Sequence, residues 1–231
     1  TNATTYNVDV VVNPNPSFTV TSNAASICAG DNTDIDFASL TTGHQINVES
    51  VSYGAVTGGT VVAGVTTFVN GNTLSETLTN PTTAPIDVVY EFSVTTPGTT
   101  PVCPLATTSQ FVTVTVQPTP VLTSAATIAD ICSGSLVNYT PSSSTAGATF
   151  SWNRATIAGI SPAGPISGTG DINETLTNST SAPVTVTYVY TVSAGGCTNA
   201  TTYNVDVVVN PNPSYTLTSN AASICARENT D

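Results

Sequence analysis

The stretch VTVTYVYTV, residues 184–192, decides the fold class. Its β-branched and aromatic residues alternate with a period of two, which is the pattern of a strand with one buried face and one solvated face. FVTVTV, residues 111–116, has the same pattern. No segment shows a 3.6-residue apolar stripe with helix caps. The sequence therefore predicts an all-β protein, with Val, Ile, Tyr and Phe pointing inward and Thr pointing outward.

An internal repeat sets the organisation of the chain. Residues 1–34 recur as residues 198–231, and the four differences are Phe18 to Tyr215, Val20 to Leu217, Gly30 to Arg227 and Asp31 to Glu228. The distance from Thr1 to Thr198 gives a period of 197 residues. Repetition at a fixed period is typical of tandem arrays. We expect this chain to be one period, with an overlap, of a longer repetitive protein.

Each period contains two related units. ETLTN occurs at residues 76–80 and again at residues 174–178, and Cys28 and Cys103 of the first unit match Cys132 and Cys197 of the second. About seven short strands in each unit of roughly 100 residues, separated by Gly, Pro, Asn and Ser, predict an immunoglobulin-like β-sandwich.

Proline pairs predict the boundaries between the units. Alternating prolines fix φ and remove amide donors, so they form short, extended and stiff linkers. The linker residues are Pro14, Pro16, Pro118, Pro120, Pro211 and Pro213. We predict that residues 1–13 form the last strand of a preceding repeat, 14–117 and 118–210 are complete sandwiches, and 211–231 begin the next repeat.

The composition excludes several function classes. The chain has two Arg, no Lys and a net charge of −12, so it cannot neutralise nucleic-acid phosphates or dock on anionic membranes. Without Lys there is no Schiff base and no P-loop lysine. No apolar run reaches the length of roughly 18 residues that a membrane span needs. The chain opens on Thr1 without a signal peptide, which predicts a mature segment or a piece of a longer protein.

The second unit resembles a known family. ICSG at 131–134, ATFSWNR at 148–154, ETLTN at 174–178 and the segment from Val186 to Cys197 are similar to PKD-like repeats of giant Bacteroidota cell-surface adhesins, including those of gliding-motility type exported by the type IX pathway. The first unit departs from this pattern, because Val48 and Ser50 align with Trp152 and Arg154. The resemblance implies an extracellular adhesive or scaffolding role and does not imply catalysis.

The five cysteines favour disulfides and hence an oxidising compartment. We predict the pairs 28–103 and 132–197, one in each unit, with Cys225 left without a partner by truncation. A metal site is the alternative, but the cysteines lack Cys-x-x-Cys spacing and a nearby His.

Other candidate residues are few. Asp31, Asp34 and Asp36 form an acidic cluster that reads either as a solvated loop or as a calcium site, although it lacks the glycine and distal glutamate of an EF-hand. We predict no other metal, no catalytic residue and no cofactor.

Trp152 and Arg154 lie on one strand face by parity. Trp152 is expected to be a core residue, with a ligand platform as the alternative. Arg154 is expected to pair with a carboxylate or with carbonyls, with ligand binding as the alternative.

Two functions follow from these features. The first is a non-catalytic structural or adhesive segment of a long extracellular fibre, in contact with neighbouring repeats, with itself in bundled fibres, or with surface glycans and other cells. The alternative is a glycan-binding accessory module of a secreted protein, which would need exposed aromatic side chains.

Overall fold

The computed structural model of the protein describes residues 3, 5–13, 15–97 and 109–218. These residues form strands, turns and extended segments, and no helix occurs among them. The prediction of an all-β fold built from β-sandwiches is therefore confirmed. Within the described part of the chain, no helix is long and apolar enough to cross a membrane.

The first predicted repeat contains eight strands among its described residues. They are β1 Thr19–Ser22, β2 Ser26–Cys28, β3 Ile35–Ala38, β4 Gln45–Ser52, β5 Thr67–Phe68, β6 Thr73–Leu74, β7 Ile86–Thr95 and β8 Gln110–Gln117. One sheet has the order β2-β8-β7-β4-β5 and the other has the order β1-β3-β6. Apolar side chains from both sheets form one core, in which Ile35, Phe37, Val48, Leu78 and Phe92 are almost completely buried.

The second predicted repeat has the same plan. Its strands are β9 Ile131–Cys132, β10 Ser135–Tyr139, β11 Thr149–Arg154, β12 Ile160–Ser161, β13 Ile166–Thr169, β14 Ile172–Asn178, β15 Val184–Ala194, β16 Cys197–Thr198 and β17 Tyr203–Asn210. One sheet has the order β13-β11-β15-β17-β9, with β16 paired to β15, and the other has the order β10-β14-β12. The alternation that predicted β15 is reproduced, because Val186, Tyr188, Tyr190 and Val192 are fully buried.

The chain forms two compact units. One contains residues 1–123, 142–149 and 192–201, and the other contains residues 124–141, 150–191 and 202–231. Strands β1–β8 lie within the predicted limits 14–117, and β9–β17 lie within 118–210. The exact repeat boundaries remain a prediction. Pro14 lies outside the described residues.

Each sandwich has a short parallel edge strand that carries a cysteine. β2 pairs with the end of β8, so that Cys28 lies opposite Gln117. β9 pairs in the same way with the end of β17, so that Cys132 lies opposite Asn210. The early cysteine of each repeat is therefore placed where the last strand of that repeat ends.

One sequence occurs in two environments. Residues 5–12 repeat residues 202–209, yet they form no strand, whereas residues 203–210 form β17. Val205, Val207 and Val209 are at most 1% exposed in β17. Their counterparts in the first copy are between 78% and 86% exposed, and these residues are Val8, Val10 and Val12. The first copy thus exposes an apolar strand sequence that pairs with no sheet among the described residues.

Candidate functional site

The disulfide of the described residues joins Cys28 to Cys197, which are 169 residues apart in the sequence. Their Cα atoms are 5.6 Å apart, an ordinary distance for a disulfide. Both cysteines belong to the first compact unit. The prediction of the pairs 28–103 and 132–197 was therefore wrong, because one partner from each predicted pair is used in this bond.

The geometry of the last strand explains the error. Cys197 lies in the β15–β16 hairpin, at the end of the sheet where β17 begins, and Cys132 lies beside Asn210, where β17 ends. A strand rises about 3.3 Å per residue, so the eight residues of β17 separate the two cysteines by more than 20 Å. A disulfide needs Cα atoms within about 7 Å. A bond between Cys132 and Cys197 is excluded by this distance.

Of the other three cysteines, the structure describes one. Cys132 is unpaired and exposed. Cys103 and Cys225 lie outside the described residues.

Proline linker residues surround the disulfide. Pro118 and Pro120 are buried, and with Cys28 and Cys197 they line a cleft of about 360 Å³. The side-chain amide of Asn199 donates a hydrogen bond of 2.8 Å to the carbonyl of Pro120. The linker after β8 is thus held to the chain beside Cys197. Of the remaining predicted linker residues, Pro16 is buried, Pro211 is half-buried and Pro213 is exposed.

A second feature is the glutamate of the ETLTN segment in each repeat, which is buried in the first repeat and partly exposed in the second. In the first repeat it is Glu76, which is 2% exposed. Tyr90 donates a 2.7 Å hydrogen bond to its Oε2, and Tyr53 donates to Oε1 at 2.8 Å. The backbone N–H groups of Thr60 and Val61 also donate to Oε1. The Thr60 hydroxyl donates to Oε1 as well, at 3.1 Å. Five neutral groups therefore solvate this carboxylate, and none of them is a cation.

The protonation of this cluster follows from its surroundings. Burial by itself raises the pKa of Glu76, but the hydrogen bonds from Tyr90, Thr60, Tyr53 and Val61 outweigh burial, and the net pKa is lowered. Burial and the adjacent Glu76 carboxylate raise the pKa of both Tyr53 and Tyr90. At neutral pH the cluster is one ionised carboxylate held by two neutral phenols.

The second repeat places Glu174 at the equivalent position and solvates it differently. Arg154 is fully buried and forms two hydrogen bonds with Glu174, from Nη2 to Oε1 at 2.5 Å and from Nε to Oε2 at 3.1 Å. Tyr188 donates to Oε2 at 2.6 Å. Burial and Glu174 raise the pKa of Tyr188, and the charge of Arg154 opposes this rise. Arg154 also donates to the carbonyl of Pro162 at 2.9 Å.

The alignment of Ser50 with Arg154 did not identify the functional counterpart. The Ser50 hydroxyl donates to Glu91 at 2.8 Å on the exposed side of β4, where a register irregularity lies between Val48 and Ser50. The residue that reaches the carboxylate in the first repeat is Tyr53. Its ring lies so close to Gly59 that a Cβ at that position would overlap it.

The sequence analysis missed the role of Glu76. The available signal was the recurrence of a glutamate at the start of both ETLTN segments, together with a tyrosine 14 residues later in each repeat, Tyr90 and Tyr188.

Trp152 packs in the interior of the second repeat. It is 9% exposed, and its ring meets that of Tyr188 edge-on with centroids 5.4 Å apart. A Cβ at Gly168 would overlap the indole ring, so glycine is needed at this close approach. The indole Nε1 has no hydrogen-bond partner. The indole face does not form an exposed ligand platform.

The acidic residues Asp31, Asp34 and Asp36 do not form one site, because Asp31 and Asp36 make separate local hydrogen bonds. Asp36 accepts hydrogen bonds from Thr73 and Asn23, and these lower its pKa. Asp31 accepts one from the backbone N–H of Cys28 at 3.2 Å, and Asp34 is exposed. Among the residues that the structure describes, no three His, Cys, Asp or Glu side chains are grouped to hold a metal ion.

Comparison with known proteins supports the resemblance over part of the chain. Residues 129–213 match the family model of the PKD-like domain. This segment is therefore similar to PKD-like domains.

Several solved structures match this chain at low sequence identity. The crystal structure of DIP-gamma IG1+IG2 shares 13% identity, covers 88% of this chain and 100% of that chain, and has a TM-score of 0.40. Human protocadherin-24 EC1-2 shares 13% identity, with 87% and 100% coverage and a TM-score of 0.34. The fibronectin(III)-like modules of Clostridium thermocellum CbhA share 10% identity, with 84% and 95% coverage and a TM-score of 0.29. No curated protein matches the sequence.

The PKD-like segment and the disulfide together indicate a secreted or extracellular protein, because disulfides persist in oxidising compartments. Within this segment, Arg154, Glu174 and Tyr188 form one hydrogen-bonded network, and Trp152 packs against Tyr188. The carboxylate oxygens of Glu174 accept hydrogen bonds from interior side chains. This arrangement stabilises a sandwich.

Proposed function

We propose that this chain is a structural and adhesive segment of a long extracellular surface fibre built from tandem sandwiches, and that it is not an enzyme. The observation that carries the proposal is the 197-residue repeat, in which residues 1–34 return almost unchanged as residues 198–231. Tandem, nearly identical copies give a row of equivalent domains. Such a row extends far from its anchor and can bind at many points at once, which a protein with a single reaction site does not need.

The exposed strand sequence supports the same proposal. Val8, Val10 and Val12 expose side chains that their copies in β17 bury completely. Such a segment gains stability only beside a sheet that offers the edges that β15 and β9 offer to β17. In the proposed array, residues 1–13 are the last strand of a preceding sandwich, and this sheet belongs to that sandwich.

The proposed setting is the surface of a bacterium, in agreement with the resemblance to giant Bacteroidota adhesins. The proposed partners are neighbouring repeats, parallel fibres and the glycans or proteins of other surfaces. The buried position of Trp152 makes the alternative, a glycan-binding module, less favoured, since the chain has one tryptophan.

Electron microscopy of chains with one, two and three periods tests the fibre. Strands of about ten residues give each sandwich a length of roughly 35 Å, so each added period is expected to lengthen the particle by about 70 Å along one axis. Freely jointed beads, or particles that do not lengthen, would contradict the proposal.

Adhesion is tested with the same series. Beads that carry equal amounts of protein are placed under flow on surfaces coated with the chain itself or with bacterial surface glycans. Retention that rises steeply with the number of periods is expected from multivalent binding. Retention independent of copy number on every surface would limit the role to scaffolding.

A further inference from the structure

The Cys28–Cys197 disulfide joins cysteines that the repeat pattern assigns to different sandwiches. Cys28 is the early cysteine of the first repeat, in β2, and Cys197 is the hairpin cysteine of the second repeat, in β16. Every repeat carries one cysteine of each kind. In the observed bond, an early cysteine is linked to the hairpin cysteine of the following repeat. By the same rule, the partner of Cys132 belongs to the following repeat and the partner of Cys103 belongs to the preceding repeat.

Cys132 has the same structural environment as Cys28. Each lies in a two- or three-residue edge strand parallel to the last strand of its repeat, opposite the final residue of that strand, Gln117 for Cys28 and Asn210 for Cys132. Two residues further on, Gly30 and Gly134 donate the same backbone hydrogen bond, at 2.7 Å in both repeats, to the leucine of ETLTN. The two positions are equivalent in backbone as well as in sequence.

The chain beyond the two cysteines is also equivalent. Gln117 is followed by Pro118, Thr119 and Pro120, which lead to the repeat that supplies Cys197. Asn210 is followed by Pro211, Asn212 and Pro213, which lead to the next copy of the first repeat. A following repeat entered through the same linker brings its hairpin to Cys132 as the second repeat brings its hairpin to Cys28.

We propose that Cys132 forms a disulfide with the hairpin cysteine of the following repeat, and Cys103 with the early cysteine of the preceding repeat. Cys225, the copy of Cys28, makes the same bond one period later. Each sandwich is thus covalently joined to both neighbours, and the fibre carries a continuous ladder of disulfides between repeats. The inference depends on the tandem arrangement proposed above and not on adhesion.

The chemistry requires an oxidant, which is an extracellular disulfide donor such as a small-molecule disulfide or an oxidised dithiol protein. The thiolate of one cysteine attacks the donor and displaces one donor thiolate, which forms a mixed disulfide. The second cysteine attacks the protein sulfur of this mixed disulfide and releases the second donor thiolate. Two cysteine thiols lose two protons and two electrons, and the donor disulfide is reduced to two thiols. Cys132 is exposed, as this exchange requires.

The ladder changes how tension passes along the fibre. A chain pulled from its ends transmits force from Cys28 directly to Cys197, and the residues between these cysteines are bypassed. Both sandwich cores lie mostly within that span, so they carry little tension. Disulfides inside single repeats would leave the proline linkers as the only covalent connection between neighbours.

The test counts thiols in two chains folded at low concentration with reduced and oxidised glutathione. One is the 231-residue chain, and the other is extended after Asp231 by a second copy of residues 35–231, in which Val102→Ile marks the appended peptide. The ladder predicts three free thiols in each chain, whereas disulfides within repeats predict one. In the shorter chain the free thiols are expected at Cys103, Cys132 and Cys225.

Peptide mapping under non-reducing conditions identifies the bonds. A protease that cleaves after Asp and Glu is suitable, because Asp130 separates Cys103 from Cys132 and Asp206 separates Cys197 from Cys225. In the extended chain, Cys132 is expected to be linked to the marked copy of Cys103. Cys132→Ser in the extended chain should free that copy and leave the Cys28–Cys197 peptide unchanged.

The outcomes separate this inference from the proposed function. If Cys132 stays free to alkylation in the extended chain, or bonds to Cys197, the ladder is wrong even when micrographs show extended fibres. If Cys132 bonds to the marked cysteine but the particles are freely jointed, the stiff fibre is wrong and the ladder stands.

Discussion

Glu76 and Glu174 occupy the same position in the two repeats and are stabilised by different hydrogen-bond donors. Glu76 accepts hydrogen bonds from two phenols, two backbone N–H groups and the Thr60 hydroxyl, whereas Glu174 accepts them from a fully buried arginine and one phenol. Tyr90 and Tyr188 are the element common to both sites. The repeats thus share a carboxylate acceptor and a tyrosine donor, and they differ in the groups that supply the remaining hydrogen bonds.

This difference shows how a repeat can diverge without losing its fold. A buried carboxylate needs enough donors, and these can be neutral or charged. The loop that precedes β5 supplies the backbone N–H groups of Thr60 and Val61 in the first repeat, so a cation is not needed there. The Arg154 of the PKD-like segment is therefore one solution to a requirement set by the glutamate.

Arg154→Ala is expected to lower the stability of its repeat more than any other substitution proposed here. Breaking a buried ion pair typically costs about 3 to 5 kcal/mol of unfolding free energy. Because Glu174 is 11% exposed, we expect a cost near the lower end, about 3 kcal/mol. The fluorescence of Trp152, the single tryptophan of the chain, reports unfolding of the second repeat during a urea titration. The midpoint should fall for this repeat alone.

Ser50→Ala is the matched control, because Ser50 aligns with Arg154 but lies on the exposed side of its strand. Its effect should remain below about 0.5 kcal/mol, as is usual for surface substitutions. If Arg154→Ala also cost less than 1 kcal/mol, the ion pair would be no more important than the exposed contact of Ser50, and the comparison would fail.

Tyr90→Phe is expected to have an intermediate effect. A hydrogen bond to a charged group is worth about 1.5 to 3 kcal/mol, and Glu76 has no cation to compensate for its loss. Tyr188→Phe should cost less, because Arg154 still holds Glu174. Amide NMR signals of Val88 and Val186 during urea titrations report the two repeats separately. If the two substitutions lowered the unfolding free energy equally, Arg154 would not compensate for the loss of the tyrosine hydrogen bond.

Acid is expected to have the smallest effect, and mainly on the first repeat. The folded state lowers the pKa of Glu76 below its ordinary value near 4.5, so the resulting stability is present above that pH and is lost as the pH falls through the folded pKa. Burial opposes the hydrogen bonds, so the net effect is limited. The urea midpoint of the Val88 signal, measured between pH 6 and pH 2, should fall below pH 4.5.

The control for this prediction is Glu76→Gln, which keeps the shape of the side chain and removes its titration. The acid dependence of the first repeat should weaken in this variant. A variant that lost stability in acid as steeply as the unaltered chain would show that other carboxylates are responsible.

Much of the fold was predictable because it depends on local periodicity. The alternation in residues 184–192 predicted β15 together with its buried face, and parity predicted that Trp152 and Arg154 share one face. The cysteine pairing was not predictable from equivalence alone. Equivalent cysteines suggest a bond within each repeat, but the intervening strand β17 places Cys132 and Cys197 at its two ends.

The hydrogen-bond partners of Glu76 and Glu174 could not be predicted from the sequence either. A recurring glutamate predicts a shared role, but a residue that reaches it from another strand is selected by distance in space. The alignment offered Ser50 as the counterpart of Arg154, but Ser50 follows a register irregularity in β4 and lies on the exposed side of the strand. Tyr53, just after the end of β4, reaches the carboxylate instead. A register irregularity of this kind changes which side chains face the core without changing the composition of the strand.

The sequence by itself determined that this protein is built from β-sandwiches and carries cysteines suited to an oxidising compartment, because strand alternation, repetition and cysteine content are properties of the chain. Only the tertiary structure decided which cysteines bond and which groups hold Glu76 and Glu174. Disulfides and buried hydrogen bonds depend on separations of a few ångströms between residues distant in sequence, and those separations exist only after the sheets have formed.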